Sequence, residues 1–535
     1  MHYPLLLSTL LLGGQVLAVP HIESRAKKDI LLITQSVPTS DLPSCLQESY
    51  HGAYGSMAES DHVYITDEEC ISEHGALASS GMQSGSIAAL DDRVDGQVLI
   101  WIGEAGVQGM EAKSLAATDS VYEDILANLE LLEDLPRHEE ELLHANTQQV
   151  MGNKARPFEK PTLYHQSRHS MILGVPARTL SIIDRIVPGH FSLVALPSQA
   201  YPLAFGSSSY GSPVPEYLID NLVNITTHLK FSSKLSKVLD ALDYRELVRN
   251  VRFLTGESGS GIVSRHSFAP GSRIAAKWIK EKVQATGAEC TLSPFLPGFA
   301  PNVICQYPSL TPNDTSLTIL SAHYDSRGSF GRWGAPGGDD DGSGSGHLLT
   351  IAEAIKSTGV RFKKGVVLAF FAGEEQGLLG SAAYAKSLHQ ANATVLLQTQ
   401  ADMLAYHDPL EPLQVAFPAT IGTPEAAHLL GNLSQIYAPE LVVGTSPACC
   451  SDHQSFLPYA FPATQVFGEP PCNLPAECVT DHLRHRTIER NGPIADPCYH
   501  NICDVSMREG YDFDQILSIA KVTFAGLLSV AGFEV

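Results

Sequence analysis

The sequence predicts an α/β protein, with a mainly parallel central sheet flanked by helices and an additional N-terminal α/β-type region. Three observations carry this. Beyond about residue 215, short apolar segments alternate regularly with amphipathic ones. Several of those segments, such as SLTILSA (316–322) and VVLAFFA (366–372), are apolar on both alternating faces, as strands buried on both sides are. The chain has 535 residues, 44% of them hydrophobic and 17% charged, which is enough for more than one packed core.

Taken in order, residues 4–17 form an apolar run, with small side chains at Val16 and Ala18. This reads as a secretory signal over residues 1–18, and the run is shorter than the ~18 apolar residues that span a membrane. Residues 19–215 form an N-terminal domain or propeptide-like region of unknown role. Within it DILLITQSV, DHVYITDE and GQVLIWIGE have strand character, and residues 119–151 carry helical spacing. HEEELLH (138–144) is not a zinc-binding HExxH, because Leu142 stands where the second histidine would be. PLAFGSSSYGSPVPEY (202–217) is rich in turn-forming residues and sets a boundary near 215.

In 216–535 the helices are expected over KLSKVLDALDYRELVRNVRFL, SRIAAKWIKEKVQATG, GHLLTIAEAIKSTG, GLLGSAAYAKSLH, TPEAAHLLGNLSQIYA and the last apolar stretch, YDFDQILSIAKVTFAGLLSVAG. That last segment reads as a core helix. The strands between them are SLTILSAHYD, KKGVVLAFFAGEE, TVLLQTQADML and LQVAFPA.

A formal charge of −23 argues against nucleic acid or an anionic membrane as partner. Ten cysteines suit disulfides in an oxidising compartment. Asn224, Asn313, Asn392 and Asn432 lie in N-x-S/T sequons. Together these readings point to a secreted glycoprotein, expected to act as a monomer.

Ligands of open α/β sheets collect beyond the carboxyl ends of the strands. There this chain places His323 and Asp325, Glu374 and Glu375, and Asp402. The glycine-rich GAPGGDDDGSGSG (334–346) adds Asp339, Asp340 and Asp341 without an obvious lysine or arginine beside them. Far downstream, PCYHNICD supplies His500 between Cys498 and Cys503. Two imidazoles and several carboxylates suit one zinc or a pair, and a carboxylate shared by two cations is relieved of the repulsion from its neighbours.

In order and spacing, HYD, GGDDDGSG, GEE, ADML, SDHQSF and CYHNICD resemble the co-catalytic dizinc aminopeptidases of the M28 peptidase family. The resemblance spans about residues 235–535 and is nearest to secreted microbial leucine-type enzymes. It implies peptide substrates and two zinc ions. His323 and Asp402 would hold one, Glu375 and His500 the other, and Asp340 would bridge them. Glu374 would be the general base, and the Asp340–Asp341 peptide would be cis. Tyr499 would hydrogen-bond the oxyanion, since Ala448 stands where other members carry a tyrosine. Asp325 would orient His323, and Asp504 would do the same near His500. His453 reads as structural, and Phe456 and Phe467 are candidate pocket walls.

Three pairings, Cys498–Cys503, Cys290–Cys305 and Cys45–Cys70, are expected from position. Cys449, Cys450, Cys472 and Cys478 leave three possibilities. Two rival functions stand beside the aminopeptidase. One is a carboxypeptidase or dipeptidase of the same fold, for which Arg327 and Arg332 could hold a C-terminal carboxylate. The other is a non-catalytic binding domain. A single-zinc glutaminyl cyclase is disfavoured by the DDDGSG loop, and a serine hydrolase by the lack of a G-x-S-x-G elbow.

Overall fold

The computed structural model describes residues 29–35, 42–55, 60–73, 85–90, 97–104, 119–131, 161–167, 169–188, 191–197, 200, 214–311, 313–329, 333–419, 421–446, 450–468 and 494–535. The signal segment 1–18, the HEEELLH stretch, Arg332, Cys449, Cys472 and Cys478 lie outside them.

The N-terminal region is dominated by sheet. Strands β1 (Asp29–Thr34), β2 (Tyr50–Gly55), β3 (Ser60–Asp67) and β4 (Gly85–Ala89) form a four-stranded antiparallel sheet in the order β2-β3-β1-β4. Strands β5 (Gln97–Glu104), β6 (Thr162–Gln166), β7 (Ser170–Pro176) and β8 (Phe191–Ala195) form a second, ordered β6-β7-β5-β8, so β8 is an edge strand. The helix expected over 119–151 occupies Asp119–Leu131 among the described residues. Cys45 and Cys70 are disulfide-bonded within this region.

The larger sheet has six strands: β9 (Glu289–Ser293), β10 (Asn302–Tyr307), β11 (Leu317–His323), β13 (Gly365–Phe371), β14 (Val395–Ala401) and β17 (Ala463–Val466). Two short pairs accompany it: β12 (Arg361–Phe362) with β18 (Phe533–Glu534), and β15 (Gln414–Pro418) with β16 (Val442–Ser446). The order is β17-β14-β11-β13-β10-β9. The first four strands are parallel, and β10 and β9 are antiparallel. The sheet is therefore mixed at one edge, where β9 and β10 form a hairpin with Cys290 opposite Cys305 and disulfide-bonded to it.

Side-chain alternation explains why the parallel strands read as unbroken apolar runs. On β13, Val366, Leu368 and Phe370 face the main core, while Val367, Ala369 and Phe371 face a second cluster. Helices Tyr244–Leu254, Pro270–Gln284, Gly342–Thr358 and Phe513–Ala531 cover the first face. Helix Leu379–Gln390 and the Asp452–Ser455 turn, through Ala385, Leu388 and Phe456, border the second. Phe513–Ala531 is long and apolar enough to cross a membrane by length and composition, yet it is mostly buried inside this fold.

The chain leaves β11 through the Gly342–Thr358 helix to β13 on one side. From β13 it passes through Leu379–Gln390 to β14 on the other side. That reversal makes the carboxyl end of β11 a switch point, where loops from three adjacent strands diverge and leave a crevice.

Candidate metal centre

The crevice is where the expected ligands meet. His323 ends β11, Glu374 and Glu375 follow β13, and Asp402 follows β14. His323 Nε2 lies 3.2 Å from Asp340 Oδ1 and 3.5 Å from Asp402 Oδ1. His500 Nε2 lies 3.1 Å from both Asp340 Oδ2 and Glu375 Oε2. The donor atoms thus form two groups, His323–Asp340–Asp402 and Asp340–Glu375–His500, each within 4.8 Å. Asp340 presents one oxygen to each.

Each acid of the DDD run does a different job. Asp341 caps the Gly342–Thr358 helix by accepting the Gly344 N–H at 2.8 Å, and its other oxygen accepts the His323 N–H at 3.1 Å. Asp339 accepts the N–H groups of Ala405 and Tyr406 at 2.6 and 3.0 Å, fixing the chain just beyond Asp402. Asp340 is left facing the histidines, and the Asp340–Asp341 peptide is cis.

The charge that steadies this loop comes from sequence-distant arginines. Arg265, fully buried, donates to the carbonyls of Tyr324 (2.7 Å), Leu254 (3.0 Å), Gly337 (2.7 Å) and Pro336. Arg508 pairs with Asp496 and, at 3.2 Å, with Asp504. Neither arginine belongs to a motif, and nothing in the sequence marks them.

The two expected orienting acids differ. Asp325 Oδ1 faces His323 Nδ1 at 3.6 Å, an ion-pair separation too long for a hydrogen bond, and its Oδ2 accepts the Ser267 hydroxyl at 3.0 Å. Asp504 has both oxygens engaged elsewhere, with the N–H groups of Asp339 and Asp340 and with Arg508. It therefore positions the loop that carries Asp340, where the sequence pointed to His500. Ser451, the first residue of SDHQSF and given no role from the sequence, donates to Asp402 Oδ2 at 2.5 Å.

Burial opposes the Asp340 charge, but His323 and His500 outweigh it and hold its carboxyl below the usual carboxylate range. Burial would lower His500, while Glu375 and Asp340 raise it to about 9. Glu374 is pushed well up by burial, with neighbouring Glu375, Asp452 and Asp402 adding to the shift against His323. So many acids in one buried crevice fit a cation. Among the described residues, Glu375 Oε1 is buried with no hydrogen-bond partner, an oxygen that a cation would satisfy.

The remaining candidates are placed as follows. Glu374 Oε2 lies 4.0 Å from His323 Nε2, with its backbone N–H 3.4 Å from Asp325 Oδ1. Tyr499 stacks on His500 with ring centroids 3.6 Å apart. Cys498 and Cys503 are bonded around His500, which holds the left-handed backbone conformation (φ 52°). Strained non-glycine positions concentrate at functional sites. His453 is buried against the Ile421 carbonyl at 3.0 Å and belongs to neither donor group. Phe467 lines the cavity, whereas Phe456 is a core aromatic packed on Phe371 and Phe461. Asn224, Asn313 and Asn392 are exposed; Asn432 is half-buried, its amide donating to the His428 carbonyl.

The N-terminal region also reaches this cavity, which no motif foretold. Phe191, Ser192 and Leu193 of β8 line it together with His323, Glu374 and His500. Asp184 pairs with His266 at 3.0 Å, and Ala195 N–H donates to the Gly377 carbonyl at 3.2 Å.

Residues 302–523 match the profile of peptidase family M28. "Uncharacterized protein YfbL" of Escherichia coli (strain K12) is 33% identical over 144 residues, 25% of this chain and 42% of that one. "Probable leucine aminopeptidase 1" of Trichophyton verrucosum is 27% identical over 269 residues, 46% of this chain and 68% of that one. The match thus spans less than half the length of YfbL. Among solved structures, the LapA aminopeptidase of Legionella pneumophila superposes with a TM-score of 0.54 at 15% identity, over 82% of this chain and 99% of that one. At that identity the likeness is one of fold.

Proposed function

We propose that this chain, whose residues 302–523 match peptidase family M28, is a secreted dizinc aminopeptidase. The observation that carries the proposal is the pair of donor groups sharing Asp340, with the Glu374 carboxylate beside them. His323 and Asp402 would hold one zinc, Glu375 and His500 the other, with Asp340 between. When bound, the ions supply Lewis acidity, favouring loss of a proton from water and polarising a peptide carbonyl.

The chain's own groups do the rest. Glu374 carries no ligand duty and is half-buried at the crevice wall. Its carboxylate takes a proton from the attacking water and returns it to the leaving amine. Tyr499 is held flat against His500 and directs its hydroxyl as a donor to the developing oxyanion. Acids around the crevice favour a free ammonium, the feature that separates the first residue of a peptide from all later ones. Secretion, with glycosylation at Asn224, Asn313 and Asn392, is supported by the apolar 4–17 segment and by the Cys45–Cys70, Cys290–Cys305 and Cys498–Cys503 disulfides.

The test is release of p-nitroaniline from leucyl-p-nitroanilide and from its N-acetylated copy, with and without a zinc chelator. Chelator-sensitive cleavage of the free-amine substrate alone is expected. Glu374→Gln should lower kcat by about 10²- to 10⁴-fold while retaining zinc. A zinc-loaded wild type that cleaves neither substrate would sink the proposal.

A further inference from the structure

We propose that Arg327 is a carboxylate-binding residue of the substrate site, and that edge strand β8 forms a wall of that site. The enzyme would then favour short peptides with a carboxylate close to the bond that is cut. This rests on the aminopeptidase reading and specifies its substrate.

Arg327 lies four residues beyond His323 and is 5% exposed. It lines the same cavity as Glu374, Glu375 and His500. One guanidinium nitrogen, Nη2, donates to the Val187 carbonyl, which tethers the side chain to the loop before β8. Among the described residues, no ion pair within 4.0 Å includes Arg327. The acid facing it from the N-terminal region, Asp184, is already held by His266 at 3.0 Å.

A buried guanidinium without a carboxylate is costly, and a fixed fork of N–H donors beside a reaction centre is suited to a planar anion. The substrate's ammonium end cannot be what it receives, because like charges repel. Arg327 therefore belongs to the side of the substrate that carries negative charge.

Strand β8 limits that side. The Leu196 N–H bonds to Leu99 within the N-terminal sheet, whereas the Ala195 N–H turns outward to Gly377. Alternation along a strand then turns the N–H and C=O of Leu193 outward too. Phe191, Ser192 and Leu193 line the cavity, so a bound peptide meets strand β8 there. The cavity volume is about 70 Å³, which limits the room beside the bond that is cut.

Two sources could supply the carboxylate: the C-terminus of a dipeptide, or an acidic side chain after the cut bond. Full-length zinc-loaded protein is assayed on Leu-Gly against Leu-Gly-amide, and on Leu-Asp-amide against Leu-Asn-amide. Leucyl-p-nitroanilide reports the aminopeptidase activity separately. At least about tenfold higher kcat/KM for the acid member of one pair, expressed in KM, is expected. The first pair assigns the terminus, and the second assigns the side chain. Arg327→Gln should bring the ratio close to one, and Arg327→Lys should retain part of it.

Calorimetric binding of the same peptides to the Glu374→Gln enzyme gives the preference without turnover. It therefore reads the subsite even if leucyl-p-nitroanilide is not cleaved. Equal kcat/KM and equal affinity within both pairs, or a preference that survives Arg327→Gln, overturns the proposal.

Discussion

Asp504 Oδ2 accepts the main-chain N–H of Asp340 at 3.0 Å, while its Oδ1 accepts that of Asp339 at 2.9 Å. The loop carrying the shared carboxylate is thus held by its backbone, leaving the Asp340 side chain to the histidines. Asp504→Asn keeps the shape but turns an amide N–H₂ toward one of those donors. We expect a loss of about 1–3 kcal/mol in stability and weaker zinc retention. Thermal unfolding, with metal content measured after gel filtration, checks both. Unchanged values in the variant would remove Asp504 from this role.

Arg265 satisfies four backbone carbonyls from inside the fold. Lysine has three donors and no planar fork, so Arg265→Lys leaves carbonyls unsatisfied although the charge is kept. The expected cost is at least about 2 kcal/mol in urea unfolding, without recovery on adding zinc. A variant as stable as wild type would show that the charge alone matters.

Gly377 has φ +111°, and a Cβ there would come within 3.1 Å of Ala195 N. Gly377→Ala combines backbone strain with a clash at the seam between β8 and the larger sheet, costing about 1–3 kcal/mol. The effect should be local: faster proteolytic cleavage between the N-terminal region and residue 216, with 216–535 surviving as a protected fragment. Uniform digestion of the whole chain would contradict this.

His347 is buried, with Nδ1 at 3.1 Å from the Gly344 carbonyl and Nε2 at 2.7 Å from the Thr523 hydroxyl, as suits a neutral ring. Burial lowers it from 6.5 to about 4 in the folded chain. As pH falls, the unfolded state takes up its proton first. The contribution is therefore complete above pH 6.5 and disappears between 6.5 and about 4, amounting to about 3 kcal/mol. Unfolding free energy measured across that range should fall less steeply in His347→Gln than in wild type. Parallel slopes would refute the assignment.

Much of the fold was legible because parallel strands buried on both faces have an unmistakable pattern. Seven consecutive buried residues on each of β11, β13 and β14 read directly as apolar runs. The antiparallel edge formed by β9 and β10 was less visible. Each of these strands has exposed positions and resembles many amphipathic segments, and only pairing fixes their direction. Phe456 and Phe467 illustrate the same limit in the site: both are aromatic and both flank motifs, but one packs into the core and the other lines the cavity.

By itself, the sequence placed the candidate ligands of this protein. Ligand-type residues stand at strand ends, and strand ends converge because parallel strands deliver their carboxyl termini to one rim. What tertiary structure alone decided is how those charges are made tolerable and what faces them. Arg265 and Asp504 lie 75 and 164 residues from Asp340 in sequence and reach its loop through backbone atoms that carry no side-chain signature. Strand β8 and Arg327 meet at the cavity only because two sheets distant in sequence pack together. Packing of that kind depends on complementary surfaces, and complementarity between distant segments leaves no periodicity to read.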